Sequence, residues 1–356
     1  MTVDLNETLT HHATPLTVDD ASTIARAVYG LQAEATPLSG ERDQNFLLQL
    51  EDGSTYVLKA THPAETPGVT DFQTRAQLHI KQVAPSLPVA RLVPALNGEV
   101  VHWHVTAASE RRAIRLFTRL PGTLMCNVAR TPCLRRALGI ALARLDLALR
   151  DFTHPQAEHV LLWDLQHTHR LRGLLPFIGD DAKRKLAARY MDRFEVDVLP
   201  RLPSLRRQVI HNDFNAHNVM VHPHQHDRVT GIFDFGDMVE APLVQDLAVA
   251  CAYQLSEAGN PLTTAAQCVA AYHGISPLTA GEIELLPALI AARLLVTVAI
   301  TGWRATRYPE NAAYILRNNA LSWNGLQNLA TLDESRAKDT FHSACENRSI
   351  AKDNSP

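Results

Sequence analysis

The sequence predicts an α+β chain of two lobes, a small antiparallel sheet followed by a larger, mostly helical half. Three observations carry this expectation: a length of 356 residues, strand-like runs confined to the part before Leu120, and apolar residues at helical spacing after it. At roughly 100–200 residues per domain, a chain of this size holds about two lobes.

The elements follow in order. LTVDDASTIARAVY (16–29) opens with Thr17 and Asp19 as capping residues and sets Ile24, Ala27 and Val28 on one side, which predicts a helix. NFLLQL (45–50) and TYVLKA (55–60) flank EDGS, whose Asp52 and Gly53 suit a tight turn, so the pair forms a hairpin with Lys59 near its end. A helix over 70–83 and two strands, EVVHWHV (99–105) and AIRLFT (113–118), complete the first lobe, residues 1–118. PGT (121–123) breaks the pattern. The second lobe, 119–332, carries a stripe of Leu138, Leu142, Leu145 and Leu149, and further helices over 181–196, 243–257, 262–273 and 282–304. From 333 to 356 the apolar periodicity is lost, which predicts a disordered tail.

Composition narrows the class. With 46% hydrophobic and 20% charged residues and a net charge of −3, the chain is neither disordered nor basic enough to imply a nucleic-acid partner. Its five cysteines form no CxxC pair, which disfavours a disulfide framework or a zinc knuckle and predicts buried thiols in a reducing compartment. The start MTVDLNETLTHH lacks a basic and apolar leader pattern, and no apolar run is read as long enough for a bilayer, so a cytoplasmic protein without a membrane partner is expected. The oligomeric state is left open.

Within the helical half one stretch stands apart: HNDFNAHNVMVHPHQHDRVTGIFDFGD (211–237), two short strands joined by a histidine-rich turn. Asp213 and Asn218 are separated by four residues, and Asp234 opens a DFG after the strand pair. Phosphoryl transfer needs a carboxylate that orients or accepts the acceptor's hydroxyl proton, and oxygen ligands that hold magnesium against nucleotide phosphates. Asp213 fits the first role; Asn218 and Asp234 fit the second. Lys59, on the hairpin's second strand, supplies positive charge for the phosphates.

The histidines are weaker signals. His222, His224 and His226 alternate across a turn tip, where imidazole is ordinarily solvated, and a zinc site needs four convergent ligands. His211 is read as a brace of the loop, and Asp246 as a brace from the following helix. Asp237 and Glu240 after the DFG, together with Asp164, would suit a cationic acceptor. Arg293, on a long apolar helix, either runs its stem through the core or pairs with a substrate carboxylate.

The runs VIHNDFNAHNVMV and GIFDFGDMVEAPLVQDLAVACAYQL resemble the aminoglycoside phosphotransferase and choline kinase-like superfamily. Within it, the likeness to the hydroxylysine kinase group rests on TYVLKATHP, AIRLFTRLPGT, FTHPQAEHVLLWDL and ARLLVTVAITGW, and spans roughly residues 30–330. Related domains also occur fused ahead of class III aminotransferases, for which no room remains after the kinase portion.

The resemblance implies a protein kinase-like fold with the nucleotide between a nucleotide-binding lobe and a catalytic lobe. Asp213 would be the proton acceptor, Asn218 and Asp234 the magnesium ligands, Lys59 the nucleotide lysine, and the backbone from Leu116 through Thr118 to Arg119 the support of the base. The glycine-rich loop is reduced to PLSGERDQNF, so Ser39 and Gly40, with Asn45, would meet the phosphates. The acid paired with Lys59 falls on Asp71, with Gln73 the other candidate. The implied reaction moves the terminal phosphoryl of ATP or GTP, with Mg2+, to the hydroxyl of an amino-alcohol, foremost 5-hydroxy-L-lysine. Ethanolamine, choline, homoserine, a methylthioribose-like sugar or an aminoglycoside are other acceptors, and a nucleotide-binding pseudokinase is a rival of another class.

Overall fold

The computed structural model of the chain describes residues 13–40 and 42–353. Helix α1 (Val18–Tyr29) starts at a reciprocal cap: the Asp20 amide donates to Thr17 Oγ1 at 3.1 Å and the Thr17 amide to the Asp20 carboxylate at 2.8 Å. Such a cap contributes about 1 kcal/mol. Strands β1 (Ala33–Leu38), β2 (Gln44–Leu50) and β3 (Thr55–Ala60) follow, then α2 (Pro67–Val83), β4 (Leu92–Val93), β5 (His102–Val105) and β6 (Arg111–Thr118). They form one six-stranded antiparallel sheet in the order β1-β2-β3-β6-β4, with β5 also on β6. Ile24 and Tyr29 of α1 pack with Phe46, Leu48, Leu58, Ile114 and Leu116 in its core.

The expected hairpin is present, and its register sets Asn45 opposite Lys59, and Lys59 opposite Arg115. Strand β1 was not foreseen. AEATPL carries a proline and buries only Ala35, a pattern tolerated because β1 is an edge strand.

A tight linker leads into the second lobe. Gly122, at φ 128°, lies so close to the later strand that carries Val221 that a Cβ there would sit 2.4 Å from Val221 O, which demands glycine. Strand β7 (Thr123–Leu124) joins β9 (Val219–Val221) and β10 (Val229–Ile232), the strand pair expected around the histidine turn. A second pair, β8 (Arg207–Ile210) with β11 (Val239–Pro242), sets Ile210 opposite Val239 and so ties the two ends of the 211–237 stretch together. Each of these strands has four residues, too short for an alternation to show in sequence.

The helices are α3 (Pro132–Leu149), α4 (Asp181–Arg193), α5 (Val244–Ala252), α6 (Thr263–His273), α7 (Ala280–Arg307), α8 (Ala312–Ile315), α9 (Asn319–Leu329) and α10 (Glu334–Asp353). Three expectations change here. The helix read over 243–257 stops at Ala252. Helix α7 is long and apolar enough to cross a membrane by length and composition, contrary to the sequence reading, but most of its apolar window is buried in the core. The segment read as a disordered tail is helical through Asp353, and Ala337, Phe341 and Cys345 are buried. These three recur every fourth residue, a stripe too narrow to register as amphipathic. Cys251 and Cys268 are buried as well, whereas Cys133 is exposed and Cys126 half-buried.

Candidate active site

The two strand pairs aim two turns at one spot: His211–Asn218, which follows β8, and Phe233–Asp237, which follows β10. His211 joins them. The Asp213 amide donates to its Nδ1 at 3.3 Å, so Nε2 carries the proton and donates to Phe233 O at 3.1 Å. Its ring meets that of Phe235 edge-on, with centroids 4.8 Å apart. From α5, Asp246 accepts the amides of His211 and Asn212, each at 2.8 Å. Asn212 needs such support because its φ of 63° is left-handed, a conformation that costs on the order of 1 kcal/mol in a residue with a side chain.

Asp213 is held by three donors. Arg293 Nη2 at 2.7 Å and Asn215 Nδ2 at 2.8 Å reach Oδ1, and Asn218 Nδ2 reaches Oδ2 at 2.7 Å. Burial raises its pKa, Arg293 opposes the rise and nearby Asp237 adds to it, leaving the carboxyl pushed up to about 7. Because Asn218 turns its amide nitrogen to Asp213, its Oδ1 is the group left to meet a cation. Asp234, left-handed at φ 60°, holds a half-exposed carboxylate in the cleft. An amide oxygen and a carboxylate suit a hard divalent ion that draws its remaining ligands from phosphate and water.

The roof comes from the sheet lobe. Lys59 Nζ lies 2.9 Å from Asp234 Oδ1 and 3.0 Å from Asp43 Oδ2. Burial opposes its charge, but Asp234 and Asp43 outweigh burial and raise its pKa. Lys59 in turn holds Asp234 below the ordinary carboxylate range. For Asp43, burial works upward, yet Lys59, Arg42 and the His62 amide prevail and lower it. Arg42, on the same turn, pairs with Asp237 across the cleft. A Cβ on Gly236 would lie 3.2 Å from both Arg42 Nη2 and Asp234 Oδ1, a tight fit to which those two side chains would have to yield by a few tenths of an ångström. Beside it, Ala90, Leu92 and Phe117 pack with Val57, Leu120 and Phe233 into an apolar patch.

Several assignments are corrected. Asp71 does not meet Lys59: its carboxylate binds Arg75 at 2.8 Å and His154 at 3.1 Å on the outer face of α2. A helix turns about 100° per residue, so Gln73 points inward instead, donating to Gly236 O at 3.1 Å and accepting from Arg115 at 3.1 Å. Leu116 cannot offer its backbone to a base, since β6 pairs there with Leu58 on one side and Val93 on the other. Thr118 exchanges bonds with Arg91 at 2.8 and 2.9 Å, so the linker proper begins at Arg119. Asp164 is fully buried, its oxygens accepting from Gln166 and Gln245. Glu240 lies on β11, with its side chain turned toward Arg207 at 4.0 Å. Arg293 faces Asp213 rather than open solvent, with Trp163 and Tyr253 rings 5.2 and 5.9 Å from its guanidinium. Ser39 and Gly40 lie on the β1–β2 turn, where Gly40 is packed against Asp43 O.

The sequence reading missed Asp43 and Arg42. A signal existed: the hairpin places Asn45 opposite Lys59, and Asp43, two residues away, shares that face. The histidine turn is exposed, with His222 and His224 ring centroids 6.1 Å apart. Among the described residues no group of three or more His, Cys, Asp and Glu converges as a metal site.

Residues 34–278 match the model of the phosphotransferase enzyme family, APH, and the chain belongs to that family. It is a phosphotransferase of the small-molecule kinase type, acting on an alcohol group. It is similar to hydroxylysine kinase of Danio rerio, 27% identical over 323 residues that cover 87% of this chain and 90% of that protein. It is also similar to hydroxylysine kinase of Mus musculus, 25% identical over 342 residues, covering 90% and 91%. In fold it matches a microcompartment-associated aminopropanol kinase (TM-score 0.70, 20% identity, 88% of this chain and 100% of that one). A second match is the amicoumacin kinase hAmiN in complex with AMP-PNP, Ca2+ and Ami (TM-score 0.67, 15% identity, 90% and 97%).

Proposed function

We propose that the protein transfers the terminal phosphoryl group of a nucleoside triphosphate to the hydroxyl of a small amino-alcohol, 5-hydroxy-L-lysine foremost. The observation that carries the proposal is the convergence of Asp213, Asn218, Asp234 and Lys59 from both lobes on one cleft: Asn218 bonds Asp213 at 2.7 Å, Lys59 pairs with Asp234 at 2.9 Å, and the Phe233 amide, donating to Asn218 O at 3.1 Å, joins the two turns. Similarity to hydroxylysine kinases along about nine-tenths of both chains supports the acceptor.

In this reading Asp213 Oδ2, whose one donor among the described residues is Asn218, keeps a lone pair for the acceptor hydroxyl and takes its proton. Arg293 and Asn215 fix the carboxylate plane. Lys59 and Arg42 face the phosphates with positive charge, and Asn218 Oδ1 with Asp234 would hold magnesium. When bound, that ion neutralises charge on the phosphates. Val57, Phe117, Leu120 and Phe233 offer the base an apolar bed, and Asp237 offers the acceptor's ammonium a countercharge.

The test is a transfer assay with ATP and GTP over hydroxylysine, ethanolamine, choline, homoserine, aminopropanol and an aminoglycoside. Hydroxylysine is expected to give the highest kcat/KM. Inert hydroxylysine beside an active competitor would overturn the acceptor, and bound nucleotide with no transfer to any acceptor would favour a pseudokinase.

Two further outcomes are expected. Since Asp213 titrates near 7, kcat/KM should fall about tenfold per pH unit below that value as the base is protonated. Arg293→Met removes the opposing cation, so the acid limb should move to higher pH; an unmoved limb would dissociate the profile from Asp213. Replacing His222, His224 and His226 together by alanine should leave turnover within about twofold, because surface changes away from the chemistry alter little. A large loss in that variant would return the histidine turn to the site.

A further inference from the structure

Behind the catalytic loop stand two buried carboxyls. Asp246 accepts one backbone amide on each oxygen, from His211 and Asn212. Against it lies Asp146 of α3, 1% exposed and within hydrogen-bonding reach of the Asp246 carboxyl. Asp146 Oδ2 accepts from Tyr272 OH at 2.6 Å, whereas its Oδ1 has no donor. Among the described residues, no lysine or arginine forms an ion pair with either carboxyl, and His211 is the group that favours the Asp246 anion. The groups that face them are His211 of the loop, whose Nδ1 accepts the Asp213 amide, Tyr272 of α6, and Arg206, which neighbours Tyr272 and is engaged by Glu282 at 2.6 and 2.8 Å. Two ionised carboxylates in contact in the core would be strongly disfavoured, and one proton between them removes the conflict.

The hydrogen bonds also say which oxygen carries that proton. Both Asp246 oxygens face N–H donors, so a hydrogen on either would compete with an amide. Asp146 Oδ1 faces none. We propose that Asp146 is a positioning residue for the phosphoryl-transfer loop, a neutral carboxylic acid that donates to Asp246 and thereby lets Asp246, as the anion, hold the His211 and Asn212 amides. The link to phosphoryl transfer, and with it the kcat readout, rests on the function proposed above. Burial and then the Asp246 charge drive the Asp146 carboxyl well above its ordinary range, in the same direction.

The proposal predicts an asymmetry. Asp146→Asn keeps a donor toward Asp246 and an acceptor for Tyr272, so kcat should stay within about threefold, and the His211 and Asn212 amides should remain protected from hydrogen exchange. Asp146→Ala should lower kcat about tenfold or more with little change in KM, and lose that protection. Asp246→Asn sets an NH2 against a backbone N–H and should be the more damaging amide. Stability reads the proton directly. The folded chain retains a proton that the unfolded chain releases above the ordinary carboxyl pKa, so wild-type stability falls relative to Asp146→Asn as pH rises from about 5 to about 8. The Tm gap in favour of the Asn variant should widen over that range, and the wild type should show a protonated-carboxyl infrared band that Asp146→Asn lacks. A constant gap without such a band overturns the neutral acid. Amide protection in Asp146→Asn as low as in Asp146→Ala overturns the positioning role. Neither readout needs turnover, so a failed transfer assay and a failed acid pair are told apart.

Discussion

Asp213→Asn should lower turnover by roughly 10²–10⁴-fold while nucleotide binding persists. The amide has the shape of the carboxylate but cannot take a proton, so a loss confined to kcat identifies the base. The variant also removes the counter-ion of Arg293, which is 3% exposed and whose Nη2 bonds Asp213 at 2.7 Å. Breaking one side of a buried pair costs about 3–5 kcal/mol, so Tm should fall as well. The double variant Asp213→Asn/Arg293→Gln separates the effects: it should regain part of the Tm but none of the turnover. Single-turnover transfer and calorimetric nucleotide binding provide the readouts, and turnover within tenfold of wild type would sink the assignment.

Asp234→Asn should lower turnover by about 10²-fold or more and raise the Mg2+ concentration needed for half-maximal rate. Among residues with a side chain, asparagine is one of the most tolerant of the left-handed backbone at φ 60°, so the effect is one of charge rather than conformation. The charge matters twice. Asp234 would hold the metal, and it shares Lys59 with Asp43 at 2.9 and 3.0 Å. With only Asp43 left, the lysine pKa should decline, and nucleotide affinity measured without metal should change less than the Mg2+ requirement. A Mg2+ titration that overlays the wild type would exclude Asp234 from the metal site.

The spacing of the residues proposed for catalysis was legible because it is local. Asp213, Asn218 and Asp234 lie on two turns and a strand pair within 22 residues, and the hairpin that carries Lys59 is set by its turn. The four-residue strands β8 and β11 were not legible, since nothing in RQVI or VEAP alternates for long enough. The helix of 334–353 escaped because its buried face has only one residue per turn.

Charge pairing was the least legible part. Asp71 and Gln73 differ by two positions, about 200° around the helix, and only the docking of α2 on the sheet decides which one faces Lys59's neighbourhood. Asp164, proposed from its chemistry, is consumed by Gln166 and Gln245. Arg293 is 80 residues from Asp213, and no local pattern announces that contact.

By itself the sequence determined the two-lobed α+β class and the residues suited to phosphoryl transfer, because strand period, turn chemistry and loop spacing are properties of neighbours along the chain. Only the tertiary structure decided the partners: Asp43 on Lys59, Arg42 on Asp237, Arg293 on Asp213 and Asp146 against Asp246. Ion pairs depend on distance and burial, and both are set by how helices rotate and stack rather than by where residues stand in order.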